Sequence, residues 1–149
     1  MALVKAAKGT RLLVKMSDGN SPEAFVHYCT INAEREFSLE LNTNESVIPD
    51  CDDPDAPGWV DREAVSKSGS ISGQGMLNTP DYPIFFAVWD AGEPVRCQVV
   101  LDVDSADGGS VVEGLFLLTT LAVSGTKGEK MQGSVAWQST GALTLADNG

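Results

Sequence analysis

The chain has 149 residues, 42% of them hydrophobic, which is enough for one packed core without disulfides or metal. Its 21 acids against 10 bases give a net charge of −11, too few cations for a face that grips nucleic-acid phosphates. Cys29, Cys51 and Cys97 are widely spaced and form no C-x-x-C pair, and no apolar leader or run of about 18 apolar residues appears. One domain over residues 1–149, made in a reducing compartment and with no membrane partner, is the expectation.

Lys5, Lys8, Arg11 and Lys15 precede the first acid, so residues 1–8 read as a basic arm. Thr10–Ser17 alternates as a strand, with a turn at Asp18-Gly19-Asn20. Phe25–Ile31 is rich in β-formers and reads as the next strand. Ala33–Asn42 follows with period two: Glu34, Glu36, Ser38 and Glu40 on one face, Arg35, Phe37, Leu39 and Leu41 on the other. Residues 43–60 read as a long acidic loop with Pro49, Pro54 and Pro57, ending at Trp59 as an anchor. Asp61–Leu77 reads as one strand or two, with serines at every second position from 66 to 72.

A single helix is expected over 81–92. Pro80 and Pro83 fit only a first turn, and Gly92 suits a left-handed end. Ile84, Phe85, Val88 and Trp89 are predicted as its apolar face, with Phe85, Val88 and Trp89 packing on the sheet. Val95–Asp104 alternates again, placing Arg96, Gln98, Asp102 and Asp104 on one side. Val111–Ser124 is apolar on much of both sides, the pattern of a strand buried twice. Glu129–Thr140 closes the sheet, and 141–149 reads as a loose tail.

No catalytic set can be assembled. His27 is the one histidine, and nothing beyond Cys29 stands near it in sequence, so a structural role is expected. The acidic segment Asp50–Asp55 fails the calcium-loop pattern, because Pro54 and Asp55 fall where a ligand and a glycine are needed. Gly73-Gln74-Gly75 lacks the third glycine and the strand-to-helix setting of a nucleotide loop. No zinc spacing is present, so neither metal nor cofactor is expected. The wet faces and the doubly apolar strand point to function by assembly. Edge strands in such a sheet are safe when neighbouring copies pair them.

The segments GSISGQGML, DYPIFFAVWDAGEPVRCQVVLDVD and GLFLLTTLAVSGTKGEKMQGSVAWQSTGALT, within residues 59–144, resemble the major tail tube proteins of long-tailed bacteriophages. The resemblance implies a mainly β fold: a β-sandwich or barrel flanked by one α-helix. It implies six subunits in a ring whose inner strands close a barrel, and rings stacked into a virion tail tube that passes DNA. Self-contacts, a tail terminator, a tape measure protein and baseplate or tip proteins are the partners it implies, with assembly in the host cytoplasm. A DNA channel should repel phosphates. By alternation, the lumen candidates are Glu34, Glu36, Glu40, Gln98, Asp102 and Asp104, with Gln132 and Ser134 beside them. Arg96, on that side too, is expected to pair with an acid on a neighbouring strand. Lys5, Lys8 and Arg11 of one copy are expected to meet Asp50, Asp52, Asp53 and Asp55 of the next ring. A β-sandwich binding module for glycan or protein, a virion decoration, or a terminator or baseplate component is the alternative reading.

Overall fold

The computed structural model describes residues 2–18 and 24–148. The expected turn residues Gly19 and Asn20, with Met1 and Gly149, lie outside them. The strands are β1 (Leu12–Ser17), β2 (Phe25–Val26), β3 (Glu34–Ile48), β4 (Trp59–Met76), β5 (Val95–Leu101), β6 (Ser110–Ser124) and β7 (Gln132–Asp147). One helix, α1 (Asp81–Ala91), joins β4 to β5. The strands form one seven-stranded antiparallel sheet in the order β2-β1-β5-β6-β7-β4-β3. Contacts divide the chain into two compact units, Met1–Ser38 with Gly69–Gly149, and Leu39–Ser68.

Period-two alternation builds the core of the first unit. Val14 pairs with Val99, and Val99 with Val112, in one row across β1, β5 and β6. Ile71 pairs with Trp137, and Trp137 with Leu118, in a second row across β4, β7 and β6. Val14, Val99, Ile71, Trp137 and Leu118, with Phe116 and Cys97, are buried, and Val112 packs half-buried against them. Above them α1 inserts Phe85, whose ring meets Tyr28 edge-on at 5.2 Å and Trp137 at 6.0 Å.

Several expected boundaries move. The chain leaves strand conformation after Val26: Ile31 N donates to Tyr28 O, and this turn tucks Thr30 and Ile31 into the core. The turn can lie on β4 because Gly73 and Gly75 have no side chains; a Cβ at Gly73 would stand 2.7 Å from Ile31, and one at Gly75 would strike Asn32. Close approach is therefore the job of the Gly73-Gln74-Gly75 segment. The loop predicted over 43–60 contracts to 49–58, since β3 runs to Ile48 and β4 begins at Trp59. Its acids misled the loop reading, because a hairpin exposed on both faces carries polar residues in its strands. Trp59 is no anchor, being 86% exposed. The predicted tail is mostly strand: Asp147 pairs with Ser110, and Asn148 Nδ2 donates to Val103 O at 2.9 Å. β5 stops at Leu101, so Asp102 and Asp104 lie beyond it.

The buried face of α1 is also rotated from the predicted one. Asp81, Phe85 and Val88 turn inward at helical spacing, whereas Trp89 is 48% exposed and Ile84 42%. A carboxylate at the first helical position was not an obvious core residue. Asp81 is accommodated because its Oδ2 accepts from Thr30 N at 3.1 Å and from Thr30 Oγ1 at 3.0 Å. Gly92 ends the helix in the left-handed conformation, at φ 64°, its N–H donating to Trp89 O. Along β6, Phe116 and Leu118 face the core, while Leu115 on the other side is 42% exposed, so that side of the strand is open there in the single chain.

Candidate assembly surfaces

On β3, β4 and β7, the residues that alternate with the core form a wet face. Ser72 pairs with Ala136, and Gln74 with Ser134, in the registers between β4 and β7. Gln74 Nε2 donates to Glu34 Oε2 at 2.7 Å, and the Ser38 and Ser70 hydroxyls stand 2.7 Å apart. This face carries an open groove of about 700 Å³, lined in part by Glu34, Glu36, Ser72 and Ser134. A second groove of about 290 Å³ includes Gln132 and Ser134. Arg35 also lines the larger groove, but its Nη1 donates to Leu12 O at 3.0 Å. The wall left by Glu34 and Glu36 presents anionic and neutral groups.

Glu34, Glu36, Gln132 and Ser134 are thus brought together by the grooves. Gln98 is elsewhere on the sheet, in register with Lys15 on β1 and Glu113 on β6. Asp102 Oδ2 stands 3.3 Å from Arg11 Nη1, and Asp104 precedes a 3₁₀ turn at Ser105–Asp107. Lys5 Nζ lies 3.1 Å from Asp107 Oδ1. Two of the three arm cations named from sequence therefore pair with acids after β5, in their own chain. These pairs are exposed, and each contributes on the order of 0–1 kcal/mol. Arg96 pairs with Glu113 at 2.9 Å, on the neighbouring strand.

The unit Leu39–Ser68 carries Glu40 and the four loop aspartates. Asn42 Nδ2 donates to Ser66 Oγ at 2.9 Å, and Arg62 Nε to Glu45 Oε1 at 3.0 Å. Asp50 Oδ1 accepts from Asp52 N, closing a local turn at the tip, where Asp50, Asp52, Asp53 and Asp55 are all exposed. No residue of this unit is buried, although Leu39, Leu41, Val47, Ile48 and Val65 belong to it. Two strands that bury so little are marginal alone in water.

The outer side of α1 is apolar too. Tyr82 and Phe86 have ring centroids 6.3 Å apart, and Phe86 and Trp89 5.7 Å. The sequence pattern names Trp89 but not Tyr82 and Phe86 of this row at i, i+4 and i+7, because it assigns the helix one apolar face and this helix has two. Among the described residues no cluster of metal-ligating side chains converges, and no helix is long and apolar enough to cross a membrane. Burial pushes the Cys97 thiol up to about 12, and burial followed by the Asp81 and Asp18 charges raises the Tyr28 phenol.

A family model described as phage tail tube protein matches residues 6–145, nearly the whole chain. The chain belongs to the phage tail tube protein family. No curated protein sequence matches this tail tube protein. Its fold is similar to that of a chain in the tail of an empty GTA particle, solved by helical refinement with C6 symmetry. The TM-score is 0.74 at 24% identity, covering 95% of this chain and 99% of that one. A chain from the virion of a native gene transfer agent particle gives 0.70 at 23%, with the same coverage. A chain from the baseplate of an anti-feeding prophage, 6-fold symmetrised, gives 0.54 at 11%, covering 99% and 98%. The tail tube protein is a structural component of a phage-type tail, and its exposed apolar surfaces are those of a subunit.

Proposed function

We propose that this protein polymerises as stacked six-membered rings into the tube of a long phage tail, assembled in the host cytoplasm and passing DNA through its lumen. The observation that carries the ring reading is the hairpin unit Leu39–Ser68, which buries no residue although it carries long aliphatic side chains. Covering them with other copies supplies the burial that the single chain lacks. The open edge of β3 gives neighbouring copies a place to continue the sheet, which removes edges by closure into a barrel. The six-fold arrangement of the structurally similar GTA tail supports the ring number.

In this reading Glu34, Glu36, Gln132 and Ser134 form part of the lumen wall, joined by Glu40, Gln98, Asp102 and Asp104. The tip aspartates Asp50, Asp52, Asp53 and Asp55 meet the basic arm of the next ring at Lys5, Lys8 and Arg11. Arg11 and Lys5 then exchange or share their present partners Asp102 and Asp107. The tube ends contact a terminator and baseplate or tip proteins, and a tape measure protein occupies the lumen before DNA does.

Electron microscopy of the purified chain at high concentration tests the reading. Long hollow tubes, or six-fold rings, are expected. A strict monomer across concentration and salt would exclude it. Changing Asp50, Asp52, Asp53 and Asp55 together to Lys is expected to block stacking while leaving the monomer folded, and normal tubes from that variant would remove the arm-to-tip contact.

A further inference from the structure

Two surfaces of this chain lack cover, and they are complementary. The Asn42–Ser66 bond places those two residues on one face of the hairpin. Strand alternation then puts Leu39, Leu41, Val65 and Lys67 on the opposite face. Leu39, Leu41 and Val65 are 65%, 55% and 59% exposed. On α1, the row Tyr82, Phe86 and Trp89 is 38%, 45% and 48% exposed. Contiguous exposed aromatic surface of this kind marks a contact site, and aromatic anchors dominate contact energies. The charges match as well: Lys67 lies on the aliphatic face, while exposed Asp90 and Glu93 follow the aromatic row.

We infer that the Leu39, Leu41 and Val65 face of one copy docks on the Tyr82, Phe86 and Trp89 row of a second copy, with Lys67 set against Asp90 and Glu93. Each surface is exposed in the single chain, so its cover comes from outside that chain. The two patches differ, which makes the contact heterologous. Such a contact propagates, as a ring if its rotation closes and as a helix if it does not. The inference rests on the reading of the chain as a self-assembling tube subunit, and adds which two surfaces meet.

Cysteine cross-linking of the full chain tests it, with Cys29→Ser and Cys51→Ser in every sample. One population carries Leu41→Cys and another Phe86→Cys; the two are mixed, allowed to assemble and oxidised with diamide. A disulfide-linked pair drawn from both populations is expected. In parallel, a Phe86→Glu/Trp89→Glu variant is expected to raise the concentration needed for assembly by at least about tenfold, with an unchanged circular dichroism spectrum. Lys67→Glu should weaken assembly, and Glu93→Lys in the same chain should restore it. Assembly of the double Glu variant at the wild-type concentration overturns the contact, as does assembled material with no mixed cross-link. If the double variant unfolds, the cross-link and the Lys67–Glu93 exchange decide. A mixed cross-link in protein that builds no ring or tube leaves the docking intact and removes the tube reading instead.

Discussion

The Arg35 guanidinium donates to the Leu12 carbonyl at 3.0 Å, although β3 and β1 stand near opposite ends of the sheet order. The sheet therefore curls on itself within the unit that holds both residues. Alternation along β3 puts Arg35 on the side opposite Glu34 and Glu36, and the bond holds its charge there. Since Arg35 is only half-buried, Arg35→Met, which keeps the aliphatic stem, should cost about 1 kcal/mol. Urea unfolding of the variant measures this. A midpoint equal to wild type would mean that the curl is held by core packing alone.

A larger effect is expected at Asp81. Its carboxylate is 6% exposed and receives both the N–H and the hydroxyl of Thr30. Asp81→Ala leaves a buried donor without its acceptor and should cost about 2–3 kcal/mol. Asp81→Asn retains an acceptor oxygen and should cost less. A double-mutant cycle with Thr30→Val, read by thermal or urea unfolding, isolates the shared term. Additive losses from the two single variants would contradict the proposed coupling.

Local alternation made most strands legible, because Val95, Cys97 and Val99 or Val135 and Trp137 show a period of two without knowledge of their neighbours, although Met131, read as part of the last strand, precedes β7 and is exposed. The helix was legible for similar reasons, with prolines at its start and Gly92 at its end. Its rotation was not. Two apolar stripes compete on α1, and the buried one includes Asp81, whose partner Thr30 is distant in sequence. Residues 43–48 and 59–60 of the hairpin read as loop because their polar residues serve a surface exposed in the single chain. Among the lumen candidates, Glu34, Glu36, Gln132 and Ser134 converge because β3, β4 and β7 are neighbours in the sheet order. That order depends on long-range pairing, which a one-residue pattern does not encode.

Cys97 should differ chemically from the other two cysteines. Its thiol is wholly buried and pushed up to about 12, whereas Cys29 and Cys51 are exposed. Alkylation of the native protein near pH 8 should therefore label Cys29 and Cys51 and spare Cys97 until the chain unfolds. The pH dependence follows in sign. In the unfolded chain the thiol loses its proton near its ordinary value of 9.0, while the folded chain holds it to about 12. The folded state binds more protons in that window, so this group's contribution is fully present below pH 9 and declines as pH rises toward 12. Mass spectrometry of labelled peptides, and unfolding of Cys97→Ala against wild type across pH 8–11, check both statements.

The tryptophans offer the sharpest comparison, since two of them touch α1 side chains from opposite environments. Trp137 is 1% exposed, meets Phe85 edge-on, and sits in register with Ile71 and Leu118. Trp89 is 48% exposed and rests on Phe86. Trp137→Ala opens a cavity in the core and should cost ~3–5 kcal/mol, whereas Trp89→Ala in the monomer should cost about 1 kcal/mol. Among the described residues the Trp137 indole N–H has no acceptor, so Trp137→Phe removes an unpaired donor along with part of the ring. That partial offset should make its cost clearly smaller than that of Trp137→Ala. Urea unfolding at a concentration where the protein is monomeric ranks the three variants. Equal losses for Trp89→Ala and Trp137→Ala would contradict the rotation of α1 described above, because that rotation alone separates the two sites.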